Sequence, residues 1–470
     1  MNANTELGMV GLGVMGRNLL LNIADHEFPV AGFDRDEAKI AQLEKERGER
    51  HILAARDLQQ LAASLRRPRA IMMLVPAGSA VDSVVSDLLP FLERGDILID
   101  GGNSHFSDTD RRQKDLLEKG IHLLGVGVSG GEYGARHGPS IMPGGAEEAY
   151  QRVRPIFEAA AARVGNDPCV AWLGPDSAGH FVKMVHNGIE YALMELIAES
   201  YDFMKRGLGL GNDDLRKVYR RWNEGVLGSF LMEITAHILG HKDERSGDFL
   251  VDRILDAARQ KGTGMWTSQD ALEQQVPVPS IDMAVVLRNL SAMKDERLQA
   301  SAKLRGPAPG ITGGRKDFID RLEKALNAGF ILAFAQGMAF LHQASASHGY
   351  RLRLEEVARI WRGGCIIRAD LLEDIGKAFR TRPDLPNLLL HEVFGGKVTA
   401  LQDDLRFVVG AAAQQGIPAP CMMASLAYFD SYRSAHLPAN LIQAQRDYFG
   451  SHTYERVDAK GSFHTEWNRE

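Results

Sequence analysis

Lys183, Asn187 and Glu190 fall at i, i+4 and i+7 in a stretch, 180–191, whose apolar residues repeat at helical spacing. In a helix the three share one stripe, while Val182, Val185, Ile189, Ala192 and Leu196 form the buried side. With His186 alongside, the stripe mixes amine, amide, imidazole and carboxyl, unlike the repeated Glu/Lys pairs of a solvated face. It also follows an inferred domain boundary, where ligand clefts tend to lie. A second cluster carries different chemistry. Gly11-Leu12-Gly13-Val14-Met15-Gly16 comes directly after the apolar run Leu7–Val10. Strand, glycine turn and helix in that order bring backbone N–H groups and a helix N-terminus to a pyrophosphate. Asp34 follows at the distance where an acid meets the ribose of a dinucleotide. A glycine loop that merely turns is the plain alternative.

Two kinds of scaffold must position these groups. The first third alternates strand candidates (Leu7–Val10, Val30–Phe33, Ala70–Val75, Ile97–Asp100 and His122–Val128) with helical stretches such as Asp36–Glu46 and Val81–Leu92. This rhythm predicts a Rossmann-type α/β domain over 1–178, its ligand beyond the carboxyl ends of the strands. There lie Asp100-Gly101-Gly102-Asn103-Ser104 and Val128-Ser129-Gly130-Gly131. From 179 to 436 the spacing is helical and predicts a large all-α domain. Lys183 and Gly188 recur as Lys324 and Gly329, an offset of 141, and Trp222 recurs as Trp361, an offset of 139. This suggests a duplicated unit, with chance similarity of amphipathic helices as the rival. Ala328 stands where Asn187 does, so the second copy reads as scaffold. The tail, 437–470, is too short and polar to bury a core alone and must dock elsewhere, a partner subunit being the natural candidate.

The 470 residues exceed one ordinary core, and a net charge of −6 offers no generic footprint for nucleic acid or membrane. Cys169, Cys365 and Cys421 form no C-x-x-C pair and read as buried small residues in a reducing compartment. No signal-like N-terminus and no uninterrupted apolar run of about 18 residues stands out. A soluble cytoplasmic protein is expected.

Further segments identify a resemblance. Beside the glycine turn with Arg17-Asn18, the 100–104 and 128–132 loops and Lys183–Tyr191, the chain carries Gln260-Lys261-Gly262-Thr263-Gly264-Met265-Trp266-Thr267 and Lys294-Asp295-Glu296-Arg297. Near the end come Gln445–Gly450 and His452–Glu455. In this order they resemble the long-form decarboxylating 6-phosphogluconate dehydrogenases, within the β-hydroxyacid dehydrogenases. The resemblance implies oxidation at C3 of 6-phosphogluconate by a nicotinamide, loss of CO2 and protonation of the enediol to ribulose 5-phosphate, with no metal. It implies Lys183 as the base, which needs a depressed pKa, and Glu190 as the acid that protonates C1, which needs a raised one. It implies Asn103, Ser129, Gly130, Gly131, His186 and Asn187 around substrate and nicotinamide. Tyr191, Lys261, Thr263 and Arg288 would meet the substrate phosphate, with Arg446 and His452 supplied by the partner of a homodimer through exchanged tails. The dinucleotide would lie on Gly11, Leu12, Gly13, Val14, Met15, Gly16, Asp34, Arg35, Val75 and Asn103.

Three departures bear on this. Members commonly place Asn-Arg-Ser/Thr after the second strand; here Asp34-Arg35-Asp36 stands there, and Pro76 replaces a frequent lysine. A carboxylate at 34 accepts the hydroxyls of an unphosphorylated ribose and repels a 2′-phosphate. Both residues favour NAD, the family habit favours NADP, and both dinucleotides stay open. Met265 replaces a common lysine near the substrate. Two other functions are weighed: a β-hydroxyacid dehydrogenase for a smaller acid, which has no use for cations converging on phosphate, and a non-catalytic dinucleotide-sensing scaffold, which has no use for Lys183 and Glu190.

Overall fold

The computed structural model describes residues 4–260, 262–311 and 313–467. Seven strands form one sheet: β1 (Leu7–Val10), β2 (Val30–Phe33), β3 (Ile52–Ala54), β4 (Ala70–Met73), β5 (Ile97–Asp100), β6 (His122–Val128) and β7 (Ile141–Gly144). Their order is β3-β2-β1-β4-β5-β6-β7, parallel except for the last pair, in which Val128 faces Ile141. Helices α1 (Val14–Asp25), α2 (Glu37–Glu46), α3 (Leu58–Ser64), α4 (Ser79–Leu88), α5 (Phe106–Leu117), α6 (Gly131–His137) and α7 (Glu147–Ala160) accompany it. Alternate strand residues serve two cores. Met9, Val30, Met72 and Ile99 pack with Leu19 and Leu20 of α1 and Val153 and Phe157 of α7. Val10, Ala31, Met73 and Leu98 pack with Leu61 of α3 and Val81 and Leu88 of α4 on the other face. Apolar burial on both faces is what a parallel sheet between helical layers requires. The two-residue strands β8 (Arg163–Val164) and β9 (Asp167–Pro168) pair beyond α7.

The rest, up to the tail, is helical. α8 (Ala178–Asp202), α9 (Asn212–Asn223), α10 (Phe230–Gly240), α11 (Thr263–Glu273), α12 (Pro279–Ala292) and α13 (Lys294–Lys303) precede α14 (Arg315–Ser347). α15 (Leu354–Ile360), α16 (Leu371–Thr381), α17 (Glu392–Gln415) and α18 (Pro420–Tyr432) follow. α14 is long and apolar enough to cross a membrane by length and composition, but its apolar window is 83% buried inside the fold. Ile331, Leu332 and Phe334 of α14 join Val185, Ile189 and Leu196 of α8 in one core, so α14 is a core helix.

A long helix, a short one ending near a buried tryptophan and a third occur twice, as α8–α10 and α14–α16. Trp222 and Trp361 are both fully buried. The two runs meet back to back: Phe230 N donates to Arg368 O at 3.0 Å and Asp370 N to Gly228 O at 2.9 Å. Each bond becomes the other under a shift of about 140 residues, the offset read from the lysines and tryptophans. The tail forms α19 (Ala439–Gly450) and a hairpin of β10 (Tyr454–Glu455) and β11 (Ser462–Phe463).

Candidate active site

The dinucleotide end is built by the glycine turn. Gly11 has φ +98, and a Cβ there would lie 2.5 Å from Leu74 O; a Cβ on Gly16 would lie 1.8 Å from Gly11 O. Both positions therefore exclude side chains. Gly13, which caps α1, has open space where its Cβ would be, leaving the free N–H groups of Val14, Met15 and Gly16 accessible for a pyrophosphate. This cradle fits a dinucleotide. Asp34 does two jobs there: Oδ2 accepts from Leu12 N at 2.7 Å and Oδ1 from Asp36 N at 2.9 Å. A cavity of about 200 Å³ follows, walled by Val75, Pro76, Leu58 and Val84, with Asp34, Arg35 and Asp87 as its charged groups. Arg35 is not free: it donates to Ser83 Oγ at 2.9 Å and Asp87 Oδ2 at 2.5 Å.

The strand ends form the next wall. Asn103, with φ +56, accepts from Val128 N at 3.0 Å and donates to Val128 O at 3.2 Å. These two bonds tie the loop after β5 to the end of β6. Ser129, Gly130 and Gly131 lead into α6, with Gly130 against the Gly364 carbonyl.

α8 crosses this wall at close range. A Cβ on Gly127 would lie 2.4 Å from Lys183 Cβ, so the absent side chain lets the lysine lie directly on β6. Lys183 is only 5% exposed. Its Nζ donates to Asn187 Oδ1 at 2.7 Å and lies 3.3 Å from His186 Nδ1. Asn187 Oδ1 is also 3.0 Å from His186 Nδ1, and Asn187 Nδ2 donates to Thr263 Oγ1 at 2.8 Å. With the ring proton on Nδ1 toward Asn187, His186 Nε2 is left to accept from Ser129 Oγ at 3.3 Å. Glu190 Oε2 lies 3.7 Å from His186 Nδ1. The expected stripe is real, but it faces a packed wall and not bulk solvent.

Burial is the largest influence on the titration of these groups. It lowers the Lys183 ammonium's pKa, against the opposing charges of Glu190 and Cys365. Burial, then the lysine beside it, holds His186 well below its ordinary value, so the ring is neutral. Burial raises the Glu190 carboxyl against Lys183 and Arg288. Burial thus moves an amine and a carboxyl on one helix face each toward its neutral form.

Tyr191 and Arg288 come together, the guanidinium 3.4 Å above the ring. Arg288 also donates to Arg259 O at 3.3 Å and Met194 Sδ at 3.5 Å. Thr263 starts α11, so an N-terminus of that helix adjoins Asn187. Met265 packs against the cluster of Tyr191, Ala284 and Val285. Lys261 lies outside the described residues. Arg446 and His452 are both exposed and make their contacts inside the tail, Arg446 to Gln443 Oε1 at 3.2 Å and the His452 ring against Phe449.

One part of the site escaped sequence reasoning. The Trp361–Cys365 loop of the second helical run, read as scaffold, reaches the candidate residues of α8: the Trp361 ring meets His186 edge-on at 5.5 Å, and Cys365 is near enough to act on Lys183's charge. The recurring tryptophan was the available signal. Among the described residues, no cluster of three His, Cys, Asp or Glu side chains is placed to hold a metal.

A glycine cradle at a sheet's carboxyl edge, opening beside a buried amine and carboxyl, defines a nicotinamide-dinucleotide oxidoreductase. The family model for the NAD binding domain of 6-phosphogluconate dehydrogenase matches residues 6–174, and that for the 6-phosphogluconate dehydrogenase C-terminal domain matches 179–467. The chain belongs to the 6-phosphogluconate dehydrogenase family. The NADP(+)-dependent, decarboxylating 6-phosphogluconate dehydrogenase of Bacillus subtilis (strain 168) is 50% identical over 463 residues, covering 98% of this chain and 99% of its own. The decarboxylating enzyme of Ovis aries is also 50% identical, over 469 residues, covering 99% and 97%. Among solved structures, 6-phosphogluconate dehydrogenase of Plasmodium falciparum superposes with a TM-score of 0.95 at 44% identity, covering 98% of this chain and all of its own. That protein was solved in its apo form, with its cofactor NADP+ and with its substrate 6-phosphogluconate.

Proposed function

We propose that this chain oxidatively decarboxylates 6-phosphogluconate to ribulose 5-phosphate and CO2 with reduction of NAD(P)+, as a soluble cytoplasmic homodimer. The observation that carries this reading is the Lys183–Asn187–His186–Ser129 network, buried against β6, with Glu190 one turn further along α8. A dinucleotide held by the Gly11–Gly16 turn would supply the hydride acceptor. Lys183, in its neutral form, takes the proton of the C3 hydroxyl as hydride leaves that carbon. Now an ammonium, it stabilises the negative charge that gathers on the C3 oxygen when the C1 carboxylate departs as CO2. The β-keto acid is its own electron sink. Glu190 gives its proton to C1 of the enediolate as the oxyanion becomes the carbonyl of the product, and a proton passing from the Lys183 ammonium back to the Glu190 carboxylate restores both groups. Asn187 keeps the amine aimed, and neutral His186 relays the position of Ser129 to the same cluster.

Tyr191, Thr263 and Arg288, with Lys261, would hold the substrate phosphate, joined by Arg446 and His452 of a second copy. The exposed placement of those two residues and the exposed Leu437, Leu441 and Ile442 on the same tail support docking on a partner. The units would be 1–178, a duplicated helical region 179–436 and the tail 437–470, the symmetric bonds between 228–230 and 368–370 supporting the duplication. Between the two dinucleotides, Asp34 and Asp87 favour NAD.

The test is purified protein with 6-phosphogluconate and each dinucleotide, following nicotinamide reduction and CO2 together. Turnover with equal yields of both is expected. Lys183→Met should remove turnover and leave dinucleotide affinity nearly intact. Dinucleotide binding without turnover in the unaltered protein would overturn the proposal.

A further inference from the structure

The tail keeps a small core of its own around one carboxylate. Asp447, near the end of α19, is fully buried in a stretch whose neighbours are mostly exposed. Its Oδ1 accepts from Thr453 N at 3.0 Å and His464 Nδ1 at 2.9 Å. Its Oδ2 accepts from Thr465 N at 3.0 Å and Trp467 Nε1 at 2.9 Å. Its carbonyl takes Ser451 N at 2.9 Å. Burial works to raise this carboxyl, but the bonds from His464, Thr465 and Trp467 outweigh it and hold it down at about 2. Four donors around two oxygens use the full capacity of an ionised carboxylate.

The segment these bonds fix is the one that carries His452. Ser451 and Thr453 on either side of it are both left-handed, with φ 49 and 59, a conformation that residues with side chains rarely adopt. The imidazole folds back over Gly450, where a Cβ would lie 2.6 Å from Nε2. Gln443 closes the frame: its Nε2 donates to Thr453 O at 2.6 Å and its Oε1 accepts from Arg446. Thr453 is therefore gripped at N–H by Asp447 and at C=O by the side chain that also holds Arg446.

We propose that Asp447 is the positioning residue of the tail, presetting Arg446 and His452 as one phosphate-binding pair before they enter the partner's site. This rests on the reading that those two residues meet the substrate phosphate of a second copy. Asp447 itself does not touch substrate. Asparagine keeps the shape but turns an NH2 toward one pair of donors, so that pair loses its acceptor.

The test uses the full-length dimer. Asp447→Asn should raise KM for 6-phosphogluconate about tenfold or more, while kcat and KM for the dinucleotide stay within about twofold, as expected when a binding group is mispositioned away from the reacting atoms. Added to Arg446→Ala/His452→Ala, the same change should have no further effect, because its route is already gone. The milder Trp467→Phe deletes one donor and should raise the same KM by less; it decides the matter if Asp447→Asn fails to fold as a dimer. If Arg446→Ala/His452→Ala leaves KM for 6-phosphogluconate unchanged, the phosphate reading of the tail falls. If that double change raises KM but neither Asp447→Asn nor Trp467→Phe does, the role given to Asp447 falls.

Discussion

Asp87 faces Arg35 across the adenosine-side cavity, and removing its charge should move the enzyme toward NADP. Among the described residues Arg35 is the one cation lining that cavity, and it is already engaged by Asp87 Oδ2 at 2.5 Å and Ser83 Oγ at 2.9 Å. A 2′-phosphate must take Arg35 from this pair and accept Asp34 and Asp87 as like-charged neighbours. At a separation of roughly 5 Å, each unit of like charge costs about 1–3 kcal/mol for effective dielectric constants between water and a protein surface. With about 1.4 kcal/mol per factor of ten, Asp87→Asn should raise the NADP-to-NAD ratio of kcat/KM about tenfold. Adding Asp34→Asn should take it to about a hundredfold. Asparagine at 34 also gives up one of the two backbone bonds to Leu12 and Asp36, at a cost of about 1 kcal/mol to both dinucleotides. The ratio cancels that cost, so the ratio is the quantity to measure. Initial rates with both dinucleotides at low and high salt suffice, and the shift should shrink as salt screens the charges. A ratio that stays put, or moves toward NAD, would refute the electrostatic account of this cavity.

The shifted groups on α8 set a bell-shaped pH profile. In the proposed roles Lys183 must be neutral, so the rate should fall as pH drops through its lowered value, and Glu190 must hold a proton, so the rate should fall as pH rises through its raised value. Glu190→Gln should slow the enzyme and remove the alkaline limb; an alkaline limb that survives the change assigns it to another group. Gly127→Ala should lower kcat about a hundredfold in a protein whose circular dichroism is unchanged, because the new methyl carbon would meet Lys183 Cβ at 2.4 Å and displace the amine. Near-normal kcat there would mean that the lysine tolerates being moved.

The parallel strands were readable because burial on both faces leaves short apolar runs, and four of the five expected strands have the bounds the sequence suggested; the third of them, β4, stops at Met73 and not Val75. β3 and β7 were not. Ile52–Ala54 is three residues long and half-exposed, and Ile141–Gly144 contains Pro143, which belongs only at the sheet edge it occupies. Asp36, read as the first residue of α2, instead caps it by accepting from Ala38 N. In the site, Lys183, His186, Asn187 and Glu190 were legible because one helix spaces them. Ser129 and Asn103 were legible because they lie at strand ends. The Trp361–Cys365 loop and the Asp87–Arg35 pair were not, since each joins residues far apart in sequence through the fold alone. Asp447 sits inside a segment quoted for its arginine, and a single buried acid in a polar tail has no periodicity to betray it.

α8 begins hard against the sheet: a Cβ on Gly179 would lie 2.2 Å from Met142 O and 2.3 Å from Gly125 O. On the far side Ser140 N donates to Gly364 O at 2.7 Å, and Arg359 reaches Pro168 O at 2.6 Å. The two halves of the molecule are thus joined along two seams, by close main-chain approach at Gly179 and Ser140 and by the Arg359 side chain on the Pro168 carbonyl. Jaw-like swinging of one half against the other would have to tear both seams. Admission of reactants and escape of products therefore fall to loops, and the pace of turnover is to be sought in their movements.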